Sequence, residues 1–148
     1  MSTFTQLLYH IVFSTKNREM TLSANERQRV FQYMWQVIEK KQSHPYYING
    51  VEDHLHIATH IHPTVAVSPL IKDIKLASTS FIKDERILRH FRGWQDGYAA
   101  FTRSYDDKEN LIEYIKNQEA HHKKFSFKEE LTVLLQENGV DFDERYLL

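Results

Sequence analysis

The chain has 148 residues, 41% of them hydrophobic and 26% charged, with a formal net charge of −1 and no cysteine. That length suits one domain with a real core, and residues 1–148 are expected to form a single one. The composition excludes disulfides, thiolate metal sites and cysteine nucleophiles, and no stretch approaches the roughly 20 apolar residues of a membrane span. The N-terminus has neither the basic start nor the apolar core of a signal peptide, so a cytoplasmic protein with no membrane partner is expected. Residues 1–103 carry 13 Lys/Arg against 9 Asp/Glu, whereas residues 104–148 carry 6 against 11. A locally basic face is therefore compatible with the near-neutral total.

In chain order, Leu7 to Phe13 is apolar and rich in β-branched and aromatic residues, which predicts a buried first strand. Ser23-Ala24-Asn25-Glu26 has capping-box spacing, and Val30, Phe31, Met34, Trp35 and Ile38 then predict an amphipathic helix to about Gln42. His44-Pro45 is read as its stop. Tyr46 to Ile48 and His54 to Ile61 predict two strands joined by a turn within Asn49 to Asp53, with Asn49-Gly50 as a hairpin signal. Ser68-Pro69 reads as an N-cap and first helical position. Leu70, Ile71, Ile74, Ala77, Phe81 and Ile82 form that helix's apolar stripe. Gly97 to Ser104 suits another strand. Leu111, Ile112, Ile115 and Ala120 mark a third helix begun by Asp106 or Asp107. Ser126 to Glu129 repeats the capping box for a fourth, ending near Gly139. The interleaving β-α-β-β-α-β-α-α predicts an α+β fold, a ferredoxin-like or RRM-like antiparallel sheet with helices packed on it.

The densest chemical feature is Asp53-His54-Leu55-His56-Ile57-Ala58-Thr59-His60-Ile61-His62. Alternation puts His54, His56, Ala58, His60 and His62 on one face of a strand and Leu55, Ile57 and Ile61 on the other. Two histidines at i and i+2 bring ring nitrogens close enough to share a divalent cation if a third ligand arrives from elsewhere. A solvated or hydrogen-bonded face satisfies the same pattern. Asp53 and Glu52 read either as groups orienting an imidazole or as turn residues in water. His44, His90, His121 and His122 read as loop or helix-end residues, and His10 as a packed core histidine. On the third helix, Tyr114 and Gln118 stand four apart and so share a face. Tyrosine at the margin of an amphipathic helix is common without any function.

Taken together, the segments resemble a known family. His54-Leu55-His56, followed by Tyr114 and Gln118, is similar to the single-tyrosine HUH transposases of the insertion sequence 200/605 family. The resemblance also runs through Leu8 to Lys16, Trp94 to Tyr98, Tyr114 to His122 and Asp143 to Leu147. It implies a Mg²⁺ or Mn²⁺ ion on His54, His56 and Gln118, acting as a Lewis acid on the scissile phosphate. Tyr114 is implied as the nucleophile that forms a 5′-phosphotyrosine on single-stranded DNA and frees a 3′-hydroxyl. A homodimer that recognises a DNA hairpin at the end of a mobile element is implied as well. Lys16, Arg18, Lys72, Lys75, Lys83 and Arg103 are the expected DNA contacts, each also readable as an ordinary surface charge. No Gly-rich phosphate loop is present, so no nucleotide cofactor is expected. Rival readings are an HUH nicking endonuclease, a metal-dependent hydrolase using water, and a non-enzymatic single-stranded nucleic-acid-binding module.

Overall fold

In the computed structural model, which describes residues 2–147, the N-terminal apolar run becomes a central strand, β1 (Leu8–Ser14). Helix α1 (Arg27–Lys40), strands β2 (His44–Gly50) and β3 (His54–His60), helix α2 (Val67–Glu85) and strand β4 (Ala99–Thr102) follow. The strands stand in the order β2-β3-β1-β4, with every neighbouring pair antiparallel. With this chain order the sheet is the ferredoxin-like one that the pattern predicts. Helices α3 (Lys108–Lys116), α4 (Gln118–His122) and α5 (Phe127–Glu137) complete the chain.

Alternation along the strands divides the core into two layers. Ile11, Phe13, Leu55 and Ile57 pack with Val30, Phe31, Met34 and Ile38 of α1 and with Leu70, Ile71 and Ile74 of α2. The other face is covered too. Val12 and Phe101 meet Phe127, Leu131 and Leu134 of α5, while Leu8 and Ala58 meet Leu111 and Ile115 of α3. The histidine side of β3 is therefore interior, sealed between the sheet and the last three helices. Among the described residues, no helix is long and apolar enough to cross a membrane.

Tertiary contacts redraw several local boundaries. The Ser23 capping box does not form, because Glu26 Oε1 accepts the backbone N–H of Leu88 at 3.1 Å and α1 starts at Arg27 with no side-chain cap. Pro45 lies inside β2, an edge strand where a missing N–H is tolerated, and the register shifts between Pro45 and Tyr47. Asn49-Gly50 is strand rather than turn. The chain reverses over Val51 to Asp53, closed by the Val51 N–H on the His54 carbonyl at 3.0 Å. Gly50 is required there for space, since a Cβ would stand 2.3 Å from that carbonyl oxygen. Helix α2 begins at Val67 instead of after a Ser68 cap. Pro69 then falls in the first turn, where N–H groups lack helical partners anyway.

The expected third helix is split in two. Asn49 Nδ2 reaches from β2 to donate to the carbonyls of Ile115 (3.1 Å) and Lys116 (3.4 Å), the acceptors that the next turn needs. Asn117 leaves helical geometry (φ −91°, ψ 18°), and α4 starts afresh at Gln118. Ala120, expected in the apolar stripe, is exposed as a result. The second capping box forms as predicted, with Ser126 and Glu129 satisfying each other's backbone N–H groups at the start of α5.

Candidate active site

Strand parity turns His54 and His56 toward α3–α5, and both rings are fully buried. His10 of the neighbouring β1 faces the same way, its Nε2 2.8 Å from His56 Nδ1. Gln118 enters as the first residue of α4, and Glu130 comes down from α5. Glu130 Oε1 lies 3.0 Å from His54 Nε2 and 3.2 Å from His56 Nε2. Gln118 Oε1 is 3.2 Å from His54 Nε2, while Gln118 Nε2 donates to Glu130 Oε2 at 2.9 Å. Tyr114, in the last turn of α3, donates its hydroxyl to the same Glu130 Oε2. One carboxylate thus gathers both histidines, the glutamine and the tyrosine.

The surrounding residues fix these groups. Asp53 Oδ1 lies 2.7 Å from His54 Nδ1, so Asp53 orients the imidazole, whereas Glu52 stands 3.7 Å from Arg27 Nη1. Buried Arg27 also donates to the Leu22 carbonyl at 3.2 Å and to Glu119 Oε1 at 2.8 Å, which anchors the residue next to Gln118. Phe127 stacks on His54 with ring centroids 4.4 Å apart.

Burial opposes charge throughout the cluster, but partners decide the outcome. For His54 desolvation is outweighed by hydrogen bonds with Asp53 and Glu130, and the pKa is pushed up to about 9. For His56 burial prevails over the same carboxylate, and the pKa falls. Burial, aided by His56 and Arg103, holds His10 well below the ordinary imidazole range. Burial pushes the Tyr114 phenol up, and the Glu130 charge adds to it. Desolvation would raise Glu130, yet hydrogen bonds from His54 and His56 hold its carboxyl well below the usual carboxylate range. The carboxylates of Asp53 and Glu130 thus favour the charged form of His54, while burial favours the neutral form of His56 and His10.

Tyr114, His54, His56 and Gln118 are thus brought together, although Tyr114 and Gln118 sit on two helices rather than one face of a single helix. His60 and His62 stay outside: His60 Nδ1 accepts the Leu7 N–H at 2.9 Å, and His62 Nδ1 contacts Thr64 Oγ1 at 2.7 Å. Two expected DNA contacts are engaged within the chain. Lys75 Nζ donates to the carbonyls of Gln95 (2.8 Å) and Gly97 (2.6 Å), and Arg103 pairs with Asp107. Lys16, Arg18, Lys72 and Lys83 have no ion pair among the described residues.

Four residues of the cluster and its rim go beyond the sequence reading. Glu130 is the central one, and it had a signal: it falls with Phe127, Leu131, Leu134 and Leu135 on the buried stripe of α5, an acid among apolar positions. His10 shares strand parity with Leu8 and Val12. His121, read as a helix-end residue, has its Nε2 3.3 Å from Glu130 Oε2, and His122 has its Nε2 3.8 Å from Asp53 Oδ1.

The sequence matches the family described as "Transposase IS200 like" over residues 3–118. The chain belongs to that family. Similar solved structures agree in fold. One is a "putative transposase" from Deinococcus radiodurans R1, 20% identical with a TM-score of 0.62, covering 80% of this chain and 95% of that one. Another is a REP-associated tyrosine transposase bound to a REP hairpin, 15% identical with a TM-score of 0.61, covering 82% of this chain and 74% of that one. Among curated proteins, none matches the sequence significantly. Because the family match ends at Gln118, Glu130 and all of α5 in this transposase lie beyond it.

Proposed function

We propose that the chain is a divalent-metal-dependent transposase that cuts and rejoins single-stranded DNA through a 5′-phosphotyrosine on Tyr114. The observation that carries this reading is the Tyr114 hydroxyl resting on the carboxylate at which His54, His56 and Gln118 converge. The donor set fits a cation of the Mg²⁺ or Mn²⁺ type: two imidazole nitrogens, an amide oxygen and a carboxylate oxygen. One oxygen of Glu130 lies within hydrogen-bonding distance of both imidazoles, and the ligand atoms of His54, His56 and Glu130 lie within 4.8 Å of one another. His54, His56 and Gln118 would hold the ion, with Glu130 beside them. When bound, it supplies Lewis-acid polarisation of the scissile phosphate.

The remaining chemistry belongs to the chain. Tyr114 Oη attacks phosphorus, the Tyr–O–P bond forms, and the bond to the 3′-oxygen breaks, the leaving oxyanion taking a proton from water to give a 3′-hydroxyl. The phenol proton has an acceptor in Glu130 Oε2. The Tyr114 hydroxyl already donates to that carboxylate, so the proton has a direct path to it as Oη attacks. Reversal by the 3′-hydroxyl rejoins the strand without a nucleotide cofactor. Of the expected DNA contacts, Lys16, Arg18, Lys72 and Lys83 are available for phosphates. A hairpin substrate and a homodimer belong to the same reading. Sedimentation that gave only monomer would remove the dimer.

The test is a denaturing gel. Labelled single-stranded DNA from the flanks of the gene, incubated with Mn²⁺ or Mg²⁺, is expected to yield a covalent protein–DNA adduct that disappears with chelator. Cleavage without an adduct would make water the nucleophile and overturn the proposal. A second expectation concerns Asp53, whose carboxylate orients His54 through Nδ1. Asp53→Asn is expected to lower Mn²⁺ affinity by about 10- to 100-fold in a calorimetric titration. Unchanged affinity would mean that this contact does not position the ring.

A further inference from the structure

We propose that the groove beside this centre is the track of the single strand, with Arg18, Lys123 and Lys124 on its phosphates and Phe125 against a base. The inference rests on the transposase reading and adds the surface that presents the substrate. The groove encloses about 480 Å³ between the short turn after β1 and the connection from α4 to α5. Asp53 and His122 line it and both adjoin His54, Asp53 Oδ1 at 2.7 Å from His54 Nδ1 and the His122 ring at 5.2 Å between centroids.

Two features of its lining select the occupant. Three cations, Arg18, Lys123 and Lys124, line this one groove, and none of them has an ion pair among the described residues. Unpaired cations around one groove match a polyanion. The groove also exposes apolar surface, with Phe125 45% and Met20 71% accessible. A single strand offers both charged phosphates and open base faces. A duplex hides its base faces, and a peptide's acidic side chains offer no aromatic face to stack. Lys123, Lys124 and Phe125 lie past the family match, which ends at residue 118.

Truncating these side chains is expected to leave the scaffold intact, Phe125 giving up its contact with the His121 ring, 5.0 Å between centroids. Lys123, Lys124 and Phe125 are exposed. The turn carrying Arg18 is held by its backbone: the Lys16 N–H bonds the Gly93 carbonyl at 2.9 Å, and the Asn17 N–H bonds Gln95 Oε1 at 2.8 Å.

The experiment is fluorescence anisotropy of a labelled oligothymidylate with the full chain in chelator, so that no catalysis is needed, repeated over a salt series. Loss of about 0.7 in the log–log salt slope per phosphate contact predicts that Arg18→Ala/Lys123→Ala/Lys124→Ala flattens the slope by about 2. Phe125→Ala should weaken binding on the order of tenfold with the slope unchanged. The charge-matched control Arg29→Ala/Lys40→Ala/Lys41→Ala, on α1 and the residue after it across the sheet, should bind like the parent chain. Equal losses from the control, unchanged binding by the groove variants, or equal competition by duplex DNA would each overturn the groove. If the groove variants bind normally while the parent chain still forms its adduct, the groove alone is wrong. If the parent chain binds the oligonucleotide through the groove but never forms an adduct, the catalytic reading fails and the groove stands.

Discussion

Tyr114→Phe is expected to abolish the covalent protein–DNA adduct while leaving fold and single-strand binding in place. The substitution removes one oxygen and nothing else. The ring keeps its edge contacts with His10, His56 and His121. Glu130 Oε2 keeps the hydrogen bond from Gln118 Nε2 at 2.9 Å. Loss of a nucleophile from a unit that acts together lowers turnover by on the order of 10⁴- to 10⁶-fold, against a stability change of about 1 kcal/mol for one hydrogen bond. Adduct yield on a denaturing gel, thermal unfolding and oligonucleotide anisotropy together check this. Persistence of the adduct would place the nucleophile elsewhere. Collapse of the fold would leave the test to the parent chain, whose adduct can be mapped by peptide mass.

Glu130→Gln is expected to produce the second large effect, on two separate properties. The first is stability without metal. His54 is raised from 6.5 to about 9 in the folded chain, where Glu130 and Asp53 outweigh its desolvation. A raised folded pKa contributes stability that is fully present below about pH 6.5 and is lost as pH rises through about 9. A shift of that size corresponds to about 3 kcal/mol. Removing the Glu130 charge should therefore destabilise the metal-free chain most at pH 6 and least at pH 9, as read by denaturant unfolding across that range. A uniform loss at every pH would show that Glu130 acts by packing rather than by pairing with an imidazolium.

The second property is metal binding. An ion on His54 Nε2 has to displace the proton that the raised pKa keeps there, so binding near pH 7 should release about one proton from His54 and tighten as pH approaches 9. Calorimetry in buffers of different ionisation enthalpy reads that proton directly. Glu130→Gln should weaken Mn²⁺ binding by at least about tenfold and reduce the proton release, since His54 then loses a main stabiliser of its charge. Tighter binding by the variant would mean that Glu130 competes with the ion for the histidines instead of sharing it.

Much of this architecture was legible in the linear pattern. Period-two alternation placed His54 and His56 on one side of β3 and Leu55 and Ile57 on the other, because successive side chains in a strand leave opposite faces. The Ser126–Glu129 capping box located α5, since its two hydrogen bonds join residues three apart and need no distant partner. The β-α-β-β-α-β order sufficed for the sheet, because hydrophobic period identifies each element and few ways of packing them exist. The signals that failed share one cause. Ser23, Asn49 and the helix after Asp107 had sound local patterns, but Leu88 drew away Glu26, and Asn49 spent its amide on the carbonyls of Ile115 and Lys116.

What the sequence determined by itself was therefore the set of elements and the parity of the histidines, both products of short-range geometry. The candidate site was assembled by the tertiary structure. Tyr114 and Gln118 meet the histidines across a broken helix, and Glu130 joins them from 74 residues beyond His56. Which distant carboxylate satisfies a buried imidazole depends on which helix covers that face of the sheet. Only the packed chain, excluding water and matching every buried polar atom, settles that choice.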